Sequence, residues 1–189
     1  MYKIMMQVKL MTVVKAIVLG DSEVGKTSFT TRWTQGTFPD PSRLKTTVGA
    51  SFDTKSVTLS TGQCITLSLW DFGGQRRFIE NLKQMIRGSK IGLFFFDASH
   101  LESLDSLWNY WIPLTEEQGG FNFSKGDGNR FLLVGNKIDL IQGEFDKVEN
   151  EMQRFCDRFG MDSTLLSAKT GVGIESLDFK FTQLLERVV

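Results

Sequence analysis

The chain has 189 residues, 41% hydrophobic and 23% charged, with 22 Lys+Arg against 22 Asp+Glu. That composition suits one globular domain with a single core, and a balanced charge argues against nucleic-acid or anionic-membrane binding. Two isolated cysteines, Cys64 and Cys156, have no C-x-x-C spacing, which argues against a disulfide framework or a zinc site.

Residues 1–11 are apolar but broken by Lys3, Gln7 and Lys9, too short and interrupted for a signal peptide or membrane span. Gln7 to Leu10 alternates, so residues 1–12 are expected to extend the first strand. Tyr2 excludes N-myristoylation on this start, and the final Glu186-Arg187-Val188-Val189 offers no cysteine for a prenyl group. The expectation is a cytoplasmic monomer without its own lipid anchor, any membrane contact coming through a partner.

Residues 13–19 form an apolar run that reads as a buried strand. Gly20-Asp21-Ser22-Glu23-Val24-Gly25-Lys26-Thr27 follows, and Ser28 onward reads as a helix. Strand, G-x-x-x-x-G-K-T, helix is the context of a phosphate-binding loop. Glycines let the backbone curl so that N–H groups from Ser22 to Ser28 face an anion, and the helix N-terminus adds its positive end. Lys26 would reach the β- and γ-phosphates, and the Thr27 hydroxyl would ligate Mg²⁺.

Residues 35–42 are rich in turn formers and read as a loop. Residues 50–59 and 64–71 flank Ser60-Thr61-Gly62-Gln63, the pattern of a β-hairpin, so one strand should be antiparallel. Residues 73–87 read as a loop entering a helix, and 91–97, with three consecutive phenylalanines, as a central strand. Residues 101–118 read as a helix with Leu101, Leu104, Leu107, Trp108 and Trp111 on one side. Residues 119–130 contain four glycines and read as an exposed loop. A strand at 131–135, a helix at 145–159, a short strand at 164–166 and a helix at 174–188 complete the chain. The alternation predicts an α/β fold: a mostly parallel six-stranded sheet, one strand antiparallel, about five helices on its two faces, and one domain over 1–189.

Asp71 ends an apolar strand, where ligands gather in a doubly wound sheet, and is placed to hold Mg²⁺ opposite Thr27. Read alone it equally fits a cap or turn residue. Phe72-Gly73-Gly74-Gln75 follows. The Gly74 N–H can meet a γ-phosphate with no side chain in the way, and Gln75 carries the donor and acceptor that orienting a water requires. The Thr47 hydroxyl could complete the Mg²⁺ shell if its loop closes; otherwise it is an ordinary strand-entry threonine.

The strand at 131–135 runs into Asn136-Lys137-Ile138-Asp139. A carboxylate at Asp139 can accept from guanine N1–H and the exocyclic amine, whereas adenine would set a lone pair against it, a discrimination of roughly 10⁴-fold or more. Asn136 would tie this loop to the phosphate loop, and the Lys137 stem would lie along the base. Ser167-Ala168-Lys169 would supply an Ala168 N–H for guanine O6 and a Lys169 stem over the other base face.

On G-D-S-E-V-G-K-T, T-V-G, W-D-F-G-G-Q, N-K-I-D and S-A-K in that order, the chain resembles a small GTPase of the Ras superfamily from about Val13 to Val188. The resemblance implies a P-loop NTPase three-layer fold and a GTP/GDP switch in signalling or vesicle trafficking. It also implies Mg²⁺-dependent hydrolysis that is slow without an activating protein, and an exchange factor and effectors as partners. Gly-Asp-Ser in the phosphate loop, Phe52 and Trp70 look Rab-like, but Met85 stands where Rab proteins carry a third aromatic, and Gly73-Gly74 is more like Arf and septation-type GTPases. Glu23 departs from the usual glycine, and its carboxylate is tolerable near phosphates only if it points to solvent. Phe38 is the candidate to stack on the guanine. Two alternatives stay open: a module that holds nucleotide without cycling, and a metabolic phosphotransferase, against which N-K-I-D argues.

Overall fold

The computed structural model describes residues 12–40, 42, 47, 49–74 and 83–189. Six strands form one sheet in the order β2-β3-β1-β4-β5-β6. They are β1 (Thr12–Leu19), β2 (Ala50–Thr58), β3 (Cys64–Phe72), β4 (Ile91–Asp97), β5 (Phe131–Asn136) and β6 (Asp162–Leu165). Among the described residues β2 alone runs antiparallel, paired with β3 across the expected hairpin, while β1 pairs in parallel with both β3 and β4. The expected strand extension before residue 12 lies outside the described residues.

The helices are α1 (Lys26–Gln35), α2 (Lys83–Ile86), α3 (Glu102–Ser106), α4 (Ile112–Gly119), α5 (Phe145–Phe159) and α6 (Ile174–Glu186). α3 and α4 are joined without a break by a π turn over Leu107–Trp111, so they act as one helical body, and among the described residues the bodies number five. Among the described residues no helix is long and apolar enough to cross a membrane.

Alternation along the central strands sorts side chains into two cores, as period-two geometry requires. Ile17, Phe94, Phe96 and Leu133 face the layer of α2, α3, α4 and α5. Val18, Phe95, Leu132 and Val134 face α1 and α6, with Phe29, Trp33 and Phe181. β1 sits where the winding reverses, between β3 and β4, so the loop after β1 opens onto the sheet's carboxyl edge.

Two local expectations change. The 119–130 segment is not an exposed loop: Phe121 and Phe123 are buried, and two 3₁₀ turns, Phe123–Lys125 and Asp127–Arg130, fold it onto the body. Its aromatic side chains found a core site that glycine content hid, since Phe131 meets Phe121 at 4.8 Å, Phe94 at 5.0 Å and Phe123 at 5.2 Å between ring centres. Trp108 does not share the buried stripe of its helix. The π turn changes the helical phase, burying Leu107 and Trp111 and leaving Trp108 43% exposed, edge-on to Phe159 of α5.

Phe131→Ala removes the ring at the centre of that cluster. It should lower unfolding free energy by about 3–5 kcal/mol, read from a urea denaturation midpoint at unchanged slope.

Candidate functional site

The turn from β1 into α1 is built by two glycines in conformations other residues avoid. Gly20 has φ 144° and passes so close over β4 that a Cβ would come within 2.2 Å of Phe95 O. Gly25 has φ 90°, and a Cβ there would meet Asn136 Nδ2 at 2.3 Å. Between them Glu23 is held at φ 67°, a left-handed conformation costing a non-glycine residue about 1–2 kcal/mol. Its side chain is exposed, so the carboxylate stands in solvent.

Lys26 is buried, and its ammonium donates to Gly20 O at 2.8 Å and Asp21 O at 2.7 Å. The cation is thus folded back into the curl of the loop. Thr27, next in the helix, donates to Asp71 Oδ2 at 2.5 Å and lies 2.7 Å from Thr47 Oγ1. Three residues from three distant parts of the chain bring their oxygens together here. Ser51 adds a longer bond to Asp71 Oδ2, at 3.3 Å. Asp71 is wholly buried, and its Oδ1 has no hydrogen-bond partner among the described residues. Burial pushes the Asp71 carboxyl up, against the opposing pull of Lys26, Thr27 and Ser51. A buried carboxylate oxygen left bare beside two hydroxyls is the donor set a hard cation takes.

Gly74 lies hard against the same loop. A Cβ there would come within 2.1 Å of Asp21 C and Ser22 N, and one on Gly73 would strike Thr47 O. Gly73 N donates to Gly49 O at 2.7 Å, pinning the end of β3 to the start of β2. Gln75 lies outside the described residues.

At the other end, Asn136 joins two loops. Its Nδ2 donates to Val24 O and its Oδ1 accepts from Ala168 N, both at 2.9 Å. The Ala168 N–H is therefore committed within the protein, and a guanine O6 would share or replace that bond. Asp139 Oδ1 accepts from Ser167 Oγ at 2.6 Å, which orients the carboxylate and joins the loops after β5 and β6. Lys137 stands at φ 65°, and its ammonium pairs with Asp97 Oδ2 at 2.7 Å. Burial opposes ionisation of Asp97, but Lys137 and Ser99 together hold its carboxyl below the usual range.

A cleft of about 650 Å³ runs between these two ends. It is lined by Ser22, Glu23, Gly25, Lys26, Thr27 and Ser28 on the loop side and by Asn136, Lys137, Asp139, Ala168 and Lys169 on the other. Phe38, Thr47 and Gly74 lie along it. Val24 and Ser167 are buried beside it. Three participants escape the sequence reading. Asp97 anchors Lys137. Trp111 donates its indole N–H to Asp21 Oδ1 at 2.9 Å. Arg32 donates to the carbonyls of Ala168 and Lys169. Of these only Asp97, a carboxylate ending a buried strand, carried a signal that could have been read.

A curled glycine loop between β1 and α1, opening on the carboxyl edge of a doubly wound sheet, defines a P-loop nucleotide-binding fold. Residues 15–189 match the Ras family, and the chain belongs to it. The chain is 34% identical to the Ras-related protein Rab-5B of Plasmodium falciparum (isolate 3D7), over 94% of its own length and 78% of that protein's. It is 32% identical to the Ras-related protein Rab-18 of Lymnaea stagnalis, over 96% and 83%. To the Ras-related protein Rab7 of Pisum sativum it is 34% identical, over 87% and 78%. It is a Ras/Rab-like small GTPase: a guanine-nucleotide switch of trafficking or signalling, acted on by regulators and read by effectors.

Burial lowers the Lys26 ammonium to about 8, with Asp71 and Asp21 pulling it back up. The nucleotide-free fold therefore binds this proton less tightly than the unfolded chain, and gains stability as pH rises from about 8 towards 10.5. Phosphate oxygens beside the ammonium would hold the proton. GDP binding should take up close to one proton at about pH 9 and almost none at about pH 7, read by calorimetry in buffers of different ionisation enthalpy.

Proposed function

We propose that the chain binds GTP and GDP with Mg²⁺ along this cleft and hydrolyses GTP slowly until an activating protein assists. The convergence of the Thr27, Thr47 and Asp71 oxygens beside Lys26, with Asp71 Oδ1 bare and buried, is the observation that carries the reading. Thr27 and Thr47 would hold the metal through their hydroxyls and Asp71 through its carboxylate, directly or by a water. When bound, the ion neutralises charge on the phosphate oxygens.

The remaining roles fall to the chain itself. N–H groups from Ser22 to Ser28 cradle the phosphates, and Lys26 exchanges its two carbonyl partners for β- and γ-oxygens. The Gly74 N–H meets the γ-phosphate. Gln75 orients the attacking water, whose oxygen bonds to the γ-phosphorus as the bond to the β–γ bridging oxygen breaks. GDP and inorganic phosphate leave. Asp139 accepts from guanine N1–H and the exocyclic amine, with Ser167 fixing its direction. Asn136 ties the loops together, the Lys137 and Lys169 stems cover the base faces, and Phe38 stacks at the edge. The Ala168 N–H is shared between Asn136 Oδ1 and O6.

Thr47 and Gln75 stand in the two segments that the γ-phosphate orders in this class of protein, and effectors would read that ordered state. Among the described residues no arginine lines the cleft, and an activating protein would supply one, an addition worth roughly 10³- to 10⁵-fold. An exchange factor would release GDP. We place the working form as a cytoplasmic monomer that meets membranes through a partner.

In competition binding, GTP should displace a labelled guanine nucleotide at least about 10³-fold better than ATP. In single turnover, Gln75→Leu should bind GTP normally and hydrolyse it at least about tenfold more slowly. Equal competition by the two nucleotides would reject the guanine reading, and unchanged hydrolysis in the variant would reject the role of Gln75.

A further inference from the structure

Arg32 lies on α1, away from every motif that defines the site. Its Nε donates to Ala168 O, and its Nη2 donates to Lys169 O at 2.8 Å. Nη1 passes close enough to Gly171 that a Cβ there would lie 3.3 Å away. The guanidinium therefore spans two successive carbonyls of the 167–173 loop from a helix 136 residues earlier in the chain. A planar fork with fixed donors fits two neighbouring carbonyls, which a point-charge ammonium does not.

The next residue strengthens the same join. Trp33 Nε1 donates to Asp178 Oδ1 at 2.7 Å, and Lys55 reaches both Trp33 O and Asp178. α1 is thus fastened to the base loop by Arg32 and to the helix after that loop by Trp33. The connections close a circuit. Val24 of the phosphate loop accepts from Asn136, Asn136 accepts from Ala168, Ala168 accepts from Arg32, and Arg32 returns through α1 to Lys26 and Thr27.

We infer that Arg32 is a positioning residue for base recognition, setting the height of the Ala168–Lys169 backbone against the O6 edge of guanine. The inference rests on the reading that this cleft binds guanine. Arg32 does not line the cleft. It holds the Ala168 and Lys169 carbonyls, the two peptide groups that directly follow the Ser167–Ala168 peptide whose N–H would meet the base, and so acts on the O6 edge and not on the edge that Asp139 serves. The selectivity between these edges separates positioning from general support of the fold.

The test uses the full chain, Arg32→Ala, and three diphosphates that differ only in the base: GDP, inosine diphosphate and 6-thioguanosine diphosphate. Inosine lacks the amine facing Asp139 but keeps O6. Thioguanine keeps both groups facing Asp139 but replaces O6 by a poor acceptor. Arg32→Ala should weaken GDP and inosine diphosphate alike, by roughly tenfold, and thioguanosine diphosphate by less than about threefold. Arg32→Lys, which keeps stem and charge without the fork, should give the same pattern at smaller amplitude, and it carries the test if the alanine variant fails to fold by circular dichroism. Equal weakening of all three ligands, or of none, overturns the inference while leaving the guanine reading intact. A wild-type protein that does not prefer GDP to ADP removes that reading, and the inference with it.

Discussion

The Asn136 side chain is the joint on which the site depends. One amide group donates to the loop after β1 at Val24 and accepts from the loop after β6 at Ala168, inside the protein and away from water. A primary amide offers a donor and an acceptor on opposite atoms, so a single residue can bind two loops whose exposed groups differ in kind. Because both bonds are buried, removing the amide leaves a carbonyl and an N–H without partners, which costs more than the bonds return when made. Gly25 lies opposite because no Cβ fits between the loop and the amide. The glycine and the asparagine are one requirement expressed at two positions.

The phosphate end is governed by a different problem, how to bury charge. Lys26 and Asp71 both sit inside the protein, each with its own polar partners, and neither is fully compensated by the other. Burial weakens the proton on the lysine and resists ionisation of the aspartate. Two left-handed non-glycine residues, Glu23 and Lys137, add strain in the loops on either side. Such unrelieved terms are what a ligand of opposite character can relieve, and the cleft concentrates them where a triphosphate and its cation would lie. The sheet supplies the rigidity. β1, β3, β5 and β6 each send the loop that follows them into the cleft, with β4 lying between β1 and β5 in the sheet.

Much of this was legible in the chain because it is local. The phosphate loop is eight consecutive residues with a strand before and a helix after, and the hairpin announces itself by two alternating runs around a glycine turn. The 91–97 strand needed only its unbroken run of apolar residues. Legibility fails where the cause is a contact between distant segments. Glycine content made 119–130 look like surface, but Phe121 and Phe123 had a cavity beside Phe131 to fill, and burial outweighed turn propensity. The even spacing of 101–118 could not reveal a π turn, which shifts Trp108 off the buried face. Arg32 in an amphipathic helix looks like any solvated charge, and nothing nearby in sequence says that its partners lie 136 and 137 residues on. For the site, the residue types at the two loops were readable, whereas the Ala168–Asn136 bond and the Asp97 anchor under Lys137 required coordinates.

The dissociation rate of GDP from Asn136→Ala tests the joint most directly. If one amide holds the two ends of the cleft as a unit, labelled GDP should leave the variant at least about a hundredfold faster than wild type, while the nucleotide-free variant still unfolds in one cooperative transition at a lower midpoint. A GDP dissociation rate within about twofold of wild type would show that the two loops hold their positions without Asn136, and would contradict the account.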